Sequence, residues 1–314
     1  MQVYNKYSDY LKEKFNGKVY KIPVNLPVSC PNRDGTCGKG GCTFCSDDGI
    51  GYEMLDVNLT IERQLKTNIA YIGKRYKANA FIAYLQNYSN TYLPLEKFKE
   101  VLAQIEHPQL VGISISTRPD CIRESYLEAI AEWAEASQMD VCIELGLQTV
   151  NYHSLEKINR GHGLSEYIDA VLRIKKYGFS ICTHLILNLP WDNETDVIEN
   201  AKMMSVLGSD YIKLHALYIV KNTVMGRAYE KGELTMISEE EYKERVILFL
   251  RYLDPTIVIQ RIIGRAPKEY TLFANWGSSW WKIHDEIVEI MATRGVKQGD
   301  LCDYRNGKAL NKFD

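Results

Sequence analysis

The chain has 314 residues, 46% of them hydrophobic and 25% charged, the balance of a globular chain long enough to bury a sizeable core. Its 38 basic and 40 acidic side chains leave a formal net charge of −2, which excludes a global electrostatic footprint for nucleic acid but not a local basic patch. Residues 1–16 carry Lys6, Asp9, Lys12, Glu13 and Lys14 without an apolar run, and no stretch approaches a membrane span, so neither a signal peptide nor a membrane is expected and the location is read as cytoplasmic.

Tyr7, Tyr10, Leu11 and Phe15 stand at helical spacing and predict a short amphipathic helix over 5–15. Residues 19–24 read as a first strand, and 60–76 as a helix with Ile61, Leu65, Ile69 and Ile72 on one face. A regular beat follows. Apolar strand-like runs at 80–85, 110–115, 141–147, 181–187 and 211–217 alternate with helical patterns at 95–105, 124–136, 164–177 and 194–207. Near-continuous apolar strands separated by helices predict parallel strands, as an open sheet or a barrel. Beyond 217, Ser238 caps a helix running to about residue 253, with Glu241 at the capping-box position. Residues 256–263 read as one more strand. Trp276, Trp280 and Trp281 precede a last helix over 282–294. The expected organisation is an N-terminal helical segment (1–15), a core (16–253) and a C-terminal extension (254–314).

Between the first strand and the first long helix lies a cysteine loop. Cys30, Cys37, Cys42 and Cys45, four of the chain's eight cysteines, fall within sixteen residues that also hold Gly35, Gly38, Gly40 and Gly41. Disulfides, a zinc site and an iron–sulfur cluster compete for this pattern. A zinc knuckle usually brings two Cys/Cys or Cys/His pairs, and only Cys42-x-x-Cys45 is such a pair here. In a cytosolic chain clustered thiols read as metal ligands more readily than as disulfides. Glycines let a backbone wrap a large inorganic body and aim N–H groups at it.

The Cys-x-Φ-Cys pattern with Phe44 before the last sulfur, and the words Cys-Pro-Asn-Arg-Asp-Gly (30–35) and Gly-Gly-Cys-Thr-Phe-Cys (40–45), resemble the radical S-adenosylmethionine (SAM) superfamily. Within it they resemble the YhcC/YtqA-type bacterial family, related to the radical SAM half of the Elongator catalytic subunit. The first gap departs from the usual Cys-x-x-x-Cys-x-x-Cys spacing. The resemblance implies an α/β fold, a partial (β/α)6 radical SAM barrel with a C-terminal α/β extension. It also implies a [4Fe–4S] cluster on Cys30, Cys42 and Cys45, whose open iron chelates the amino and carboxylate groups of SAM. Cys37 is left as an extra thiol, and Phe44 is grouped with the cofactor-binding residues.

In such a barrel functional residues gather at the carboxyl ends of the strands. Tyr88 and Ser89 stand where the superfamily has the word that receives the SAM amino group. Ser116, with its neighbour Arg118, ends the third strand, and Asp120 alone would suit a helix cap. Alternation puts Glu144, Gly146 and Gln148 on one face of the fourth strand; polar groups there fit a site, or a paired Glu–Lys buttress. Arg160, in Asn-Arg-Gly-His (159–162), resembles the residue whose fork binds the SAM carboxylate. His184 resembles a ribose partner and serves equally as a hydrogen-bonded core histidine, while Asn188 stands where glycine is usual. Lys213 and His215 share a face of the sixth strand and are candidates for substrate contact or proton transfer.

The expectation is a radical SAM enzyme that cleaves SAM to methionine and a 5′-deoxyadenosyl radical. Its implied partners are SAM and an electron donor such as flavodoxin or ferredoxin. The substrate is unidentified. Kinship to the Elongator subunit points to a tRNA nucleoside, which the near-neutral charge does not support. The alternative is a non-catalytic, metal-stapled module that binds RNA or a protein. In the tail, the three tryptophans follow Arg261, Arg265 and Lys268, which suits either closure of an incomplete barrel or RNA stacking.

Overall fold

The computed structural model describes residues 2–46, 54–266 and 270–313. It comprises two units. One is Ser8–Leu147 with Glu156–Cys182; the other is Met1–Tyr7, Gln148–Leu155 and Thr183–Asp314.

The chain runs through α1 (Tyr7–Lys14), β1 (Val19–Val24), α2 (Ile61–Tyr76), β2 (Ala80–Leu85), α3 (Leu95–Ala103), β3 (Leu110–Thr117), α4 (Glu124–Ser137), β4 (Asp140–Gln148), α5 (Tyr152–Lys157) and α6 (Leu164–Lys175). In the first unit β1 to β4 lie side by side in chain order, all parallel, with Tyr84 opposite Ser114, Ser114 opposite Cys142 and Ser116 opposite Glu144. The period of two divides the residues of these strands. Ile22, Val24, Leu85, Ile113, Ile115, Ile143 and Leu145 are fully buried on one face, and burying each is worth about 1.5–3 kcal/mol. That face holds the unit together. Lys21, Tyr84, Ser114, Ser116, Cys142 and Glu144 alternate with them and face the other way, where a purely structural sheet would carry more aliphatics. Local signals fix the helix ends: the Thr60 hydroxyl accepts the Arg63 N–H, and Lys77 closes α2 in the left-handed region at φ 54°.

The remaining elements are β5 (Ser180–Ile186), α7 (Glu194–Leu207), β6 (Tyr211–His215), β7 (Ile219–Val220), α8 (Val224–Glu230), α9 (Glu239–Tyr252), β8 (Val258–Arg261), β9 (Thr271–Phe273) and α10 (Trp280–Arg294). α7 is bounded by a reciprocal capping box between Asn193 and Asp196 and by Gly208 at φ 63°. Three sequence expectations need correction. β8 is shorter than the predicted strand and pairs in parallel with β6. The box predicted at Ser238 is half formed: its hydroxyl accepts the Glu241 N–H, but the Glu241 carboxylate takes Arg245 instead. Trp280 and Trp281 lie inside the first turn of α10, not before it. The antiparallel pair β7–β9 is too short to leave a period in the sequence. Among the described residues no helix is long and apolar enough to cross a membrane.

Candidate metal and cofactor site

The cysteine loop in the first unit is a run of turns. The Cys30 carbonyl accepts the N–H of Arg33 at 2.8 Å, the Pro31 carbonyl that of Cys37 at 2.8 Å, and the Asn32 carbonyl that of Gly41 at 2.8 Å. Gly40 and Gly41 follow one another at φ 79° and 80°, and a Cβ at Gly41 would stand 3.0 Å from Arg33 Cγ. These two positions require glycine. The loop is latched to the turn 158–161. Thr43 N–H donates to the Ile158 carbonyl (2.9 Å), Asn159 Nδ2 to the Gly41 carbonyl (2.8 Å), and Asn32 Nδ2 to the Asn159 carbonyl (2.6 Å). A Cβ on Gly161 would come within 2.4 Å of Asn32 Oδ1, so glycine is also needed there.

Three side-chain donors end on two sulfurs. Arg33 Nη1 lies 3.3 Å from Cys45 Sγ, Arg160 Nη1 3.5 Å from Cys42 Sγ, and Asn32 Nδ2 3.7 Å from the same atom. Burial pushes the Cys45 thiol up to about 11; Cys42 and Cys30 stand near enough to add to that push, and Arg33 opposes it. Cys37 is exposed; burial, then Asp120, raises its thiol, with Cys30 a lesser contributor.

The donor set fits a polynuclear cluster better than a lone ion. Thiolates on one tetrahedral zinc, each about 2.3 Å from it, stand roughly 4 Å apart. Among the described residues, the one group of three His, Cys, Asp or Glu side chains with ligand atoms within 4.8 Å of one another includes none of the loop cysteines. The thiols are spread along a glycine-rich wrap, and N–H donors point at sulfur, as thiolates of an iron–sulfur centre require.

The other predicted residues divide into separate sets. Arg160 is buried, and its Nε and Nη2 both donate to the Gly146 carbonyl, Nε at 3.2 Å. Its fork is therefore shared between that carbonyl and Cys42. Tyr88 stands at φ 45°, strained for a bulky residue, with the Arg33 guanidinium 5.5 Å from its ring centroid. Ser89 is fully buried, and Phe44 is half-buried. Ser116 Oγ pairs with Tyr84 Oη at 3.1 Å. The Glu144 carboxylate takes Ser114 Oγ–H at 2.7 Å and the Lys21 ammonium. Burial works against the Lys21 charge, but Glu144, with Cys142, Cys182 and Tyr84 adding to it, holds the ammonium above its ordinary range.

Sequence reasoning left Lys21, Asn32 and Arg33 without roles, although Asn32 and Arg33 lie inside the Cys-Pro word. Arg118 clasps Asp120 through Nε and Nη2, and donates from Nη1 to the Arg160 carbonyl at 2.8 Å. His162 is buried beside these groups. Its Nδ1–H donates to the Gly163 carbonyl, and burial, then Arg160 and Arg118, press its pKa down to about 3, so the ring is neutral.

Gln148 and His184 belong to the second unit. Gln148 stands at φ 84°, a strained position for a side-chain-bearing residue. The next residue is held firmly, since the Thr149 hydroxyl donates to Asp192 at 2.7 Å while accepting the Asn151 N–H. Burial pushes Asp192 up to about 6, against the hydrogen bonds from Ser154 and Thr149. The His184 ring lies 5.2 Å, centroid to centroid, from that of His215. Arg261 Nη2 is 2.7 Å from His215 Nδ1. Arginine cannot accept, so Nδ1 carries the lone pair and the His215 proton sits on Nε2. Arg261, read from sequence only as a flank of the tail, is thus a partner of His215. Lys268 lies outside the described residues.

The profile of the Radical SAM superfamily matches residues 30–204, and that of the Radical SAM C-terminal domain matches 209–293. The uncharacterized protein YtqA of Bacillus subtilis is 35% identical over 94% of this chain and 92% of its own length. A tRNA uridine(34) acetyltransferase of Dehalococcoides mccartyi is 21% identical over 65% of this chain and 43% of its own. Among solved structures, the archaeal Elp3 of Methanocaldococcus infernus, with residues 1–46 deleted, superposes with a TM-score of 0.64 at 15% identity, covering 89% of this chain and 64% of that one. That likeness shows the α/β fold expected from the sequence, and the profile match over more than half of the chain makes it a member of the radical SAM superfamily.

Proposed function

We propose that the chain is a cytoplasmic radical SAM enzyme in which Cys30, Cys42 and Cys45 hold a [4Fe–4S] cluster. The observation that carries this is the convergence of Arg33, Arg160 and Asn32 on the sulfurs of Cys45 and Cys42, within a glycine-rich wrap whose thiols are not gathered round one ion. The chemistry supplied there when the group is bound is one-electron reductive cleavage of SAM to methionine and a 5′-deoxyadenosyl radical, which takes a hydrogen atom from the substrate. Asn32, Thr43 and Asn159 keep the loop closed against the 158–161 turn, and the buried Arg118 holds that turn through the Arg160 carbonyl. We assign Tyr88, Ser89, Ser116, Glu144 and Arg160 to SAM from their place at the strand ends, and Gln148 and His184 from the motif resemblance alone.

For the substrate we propose a tRNA nucleoside. Its support is the likeness to a tRNA uridine(34) acetyltransferase, tempered by the 43% of that protein's length that is matched and by the net charge of −2. Flavodoxin or ferredoxin is the proposed source of electrons.

Metal analysis of anaerobically purified protein tests the reading. About four irons with matching sulfide are expected per chain, together with 5′-deoxyadenosine on chemical reduction with SAM. One zinc per chain and no iron would replace the reading with a metal-stapled binding module.

A further inference from the structure

We propose that Arg33, Asn32 and Arg160 set the reduction potential of the iron–sulfur cluster through their hydrogen bonds to the sulfurs of Cys45 and Cys42. The inference rests on the functional reading above, in which these cysteines are cluster ligands. Holding the loop in shape does not call for such contacts: a neutral thiol is a weak acceptor, and two of the three donors are guanidinium ions, which find stronger partners in carboxylates and carbonyls. The donors are also fixed in place. Arg33 runs beside Gly41, where even a Cβ would come within 3.0 Å of its Cγ, and its guanidinium lies 5.5 Å from the Tyr88 ring centroid. Asn32 is fully buried, and the amide nitrogen that faces Cys42 is tethered at 2.6 Å to the Asn159 carbonyl. Arg160 is held by the Gly146 carbonyl, which leaves Nη1 aimed at Cys42.

The reaction these donors bear on is [4Fe–4S]2+ + e− → [4Fe–4S]+. The cluster is reduced, a low-potential one-electron protein donor is oxidised, and no bond is made or broken in the chain. The added electron places more negative charge on the thiolates. Positively polarised N–H groups aimed at sulfur stabilise that state more than the oxidised one, so they raise the potential and make reduction easier. Arg33 and Arg160 bring full charges and act most; Asn32 brings a dipole. These are positioning and tuning residues, not ligands.

The test is potentiometric titration of the anaerobically reconstituted full chain without SAM, followed by the electron paramagnetic resonance signal of the reduced cluster. Arg33→Met removes the donor and the charge but keeps the bulk that packs beside Tyr88. It is expected to shift the reduction equilibrium about tenfold against the reduced state, ~59 mV for one electron, and Arg33→Lys is expected to restore part of the shift. Full iron loading with an unchanged midpoint in Arg33→Met would overturn the proposal. If Arg33→Met fails to load, Asn32→Asp decides: a carboxylate facing Cys42 is expected to lower the midpoint, and a loaded Asn32→Asp with the parent's midpoint overturns the proposal. Failure of Arg33→Met, Arg33→Lys and Asn32→Asp alike to take up iron also overturns it, in favour of a purely structural role. A parent chain that carries zinc and no iron fails earlier, in the metal analysis, and sinks the functional reading itself.

Discussion

Arg118 meets Asp120 through two parallel bonds, Nε to Oδ1 at 2.8 Å and Nη2 to Oδ2 at 2.7 Å, and sends its remaining nitrogen to the Arg160 carbonyl at 2.8 Å. The end of β3 is thereby tied to the turn that latches the cysteine loop. Burial would raise the Asp120 carboxyl, but the guanidinium wins and holds it below its usual range. The Arg118 side chain is 2% exposed and that of Asp120 16%, so Arg118→Ala leaves a partly exposed carboxylate and a buried carbonyl without their partner. We expect a loss of about 1.5–3 kcal/mol in unfolding free energy, read by urea titration of the metal-free chain. Arg118→Lys cannot supply the fork and should recover only part of it. Wild-type stability in Arg118→Ala would remove the clasp from the account of the site.

The ligand assignment is tested sulfur by sulfur. Cys30→Ala, Cys42→Ala and Cys45→Ala should each lose the cluster's visible absorbance almost completely, because an iron without its thiolate is labile. Cys37→Ala should retain it, since Cys37 is exposed and takes none of the three donors that end on Cys42 and Cys45. Retention in Cys30→Ala with loss in Cys37→Ala would exchange the first ligand.

Much of the fold is legible in the sequence, because local signals and long-range packing agree there. β1, β2 and α7 fall on their expected boundaries: the strands are near-continuous apolar runs, and α7 is bracketed by Asn193, Asp196 and Gly208. α10 begins two residues early because the Ser279 side chain makes no capping bond, so nothing local marks its start. The site is less legible. The cysteines and Arg160 are visible as words, but their partners depend on topology: Lys21 and Glu144 are 123 residues apart, Arg118 and the Arg160 carbonyl 42, His215 and Arg261 46. No periodicity carries such pairings. The contacts of Arg160 with the Gly146 carbonyl and Cys42 Sγ likewise leave no trace in the Asn-Arg word that marks it.

Two groups give the metal-free chain opposite pH dependences. His162 binds its proton only near 3, against an ordinary 6.5, because burial and then Arg160 disfavour the charge. The unfolded chain therefore takes up that proton first as pH falls, and stability declines from about 6.5 toward 3. Asp192 is raised by burial to about 6 from 3.8, so the folded chain binds its proton first, and stability rises as pH falls across that narrower window. His162→Gln should flatten the acid-side loss, and Asp192→Asn should steepen it. Urea midpoints at several pH values between 7 and 4 read both slopes; equal slopes in all three proteins would count against these environments.

Lys21 and Glu144 form an ion pair on the polar face of β1 to β4, and the Glu144 side chain is 0% exposed. Removing one member leaves the other charged and dehydrated, so Lys21→Met alone should cost about 3–5 kcal/mol, while Lys21→Met with Glu144→Leu should cost much less than the two single changes together. A double-mutant cycle in urea measures the coupling. Glu144→Gln separates stability from function. A stable, cluster-bearing Glu144→Gln that no longer binds SAM would put the carboxylate in the cofactor site; one that is merely less stable marks a buttress.

The tail separates tryptophans that pack from tryptophans that face water. Trp276 donates Nε1–H to the Ile237 carbonyl at 2.6 Å and lies edge-on to Phe273 and tilted against Tyr242, with centroids 5.6 and 5.0 Å away. α10 is anchored by fully buried Ile283, Ile287 and Met291, by Lys243 bridging Glu239 and Glu286, and by the Arg294–Glu244 pair. Deleting 276–314 should therefore destabilise the protein with or without RNA, and Trp276→Ala alone should cost about 3 kcal/mol. Trp280 and Trp281 are 43% and 57% exposed, so changing both to alanine should leave the urea midpoint within about 0.5 kcal/mol of the parent. If their role is only to cover the apolar surface beneath α10, that double variant also leaves RNA binding unchanged in a gel shift. Exposed aromatic faces with Arg265 nearby in sequence are also what single-stranded RNA stacks on. A salt-sensitive shift by the parent, lost in Trp280→Ala with Trp281→Ala and in Arg265→Ala while the urea midpoint holds, would make this surface a contact for RNA and give the tRNA proposal its first physical support.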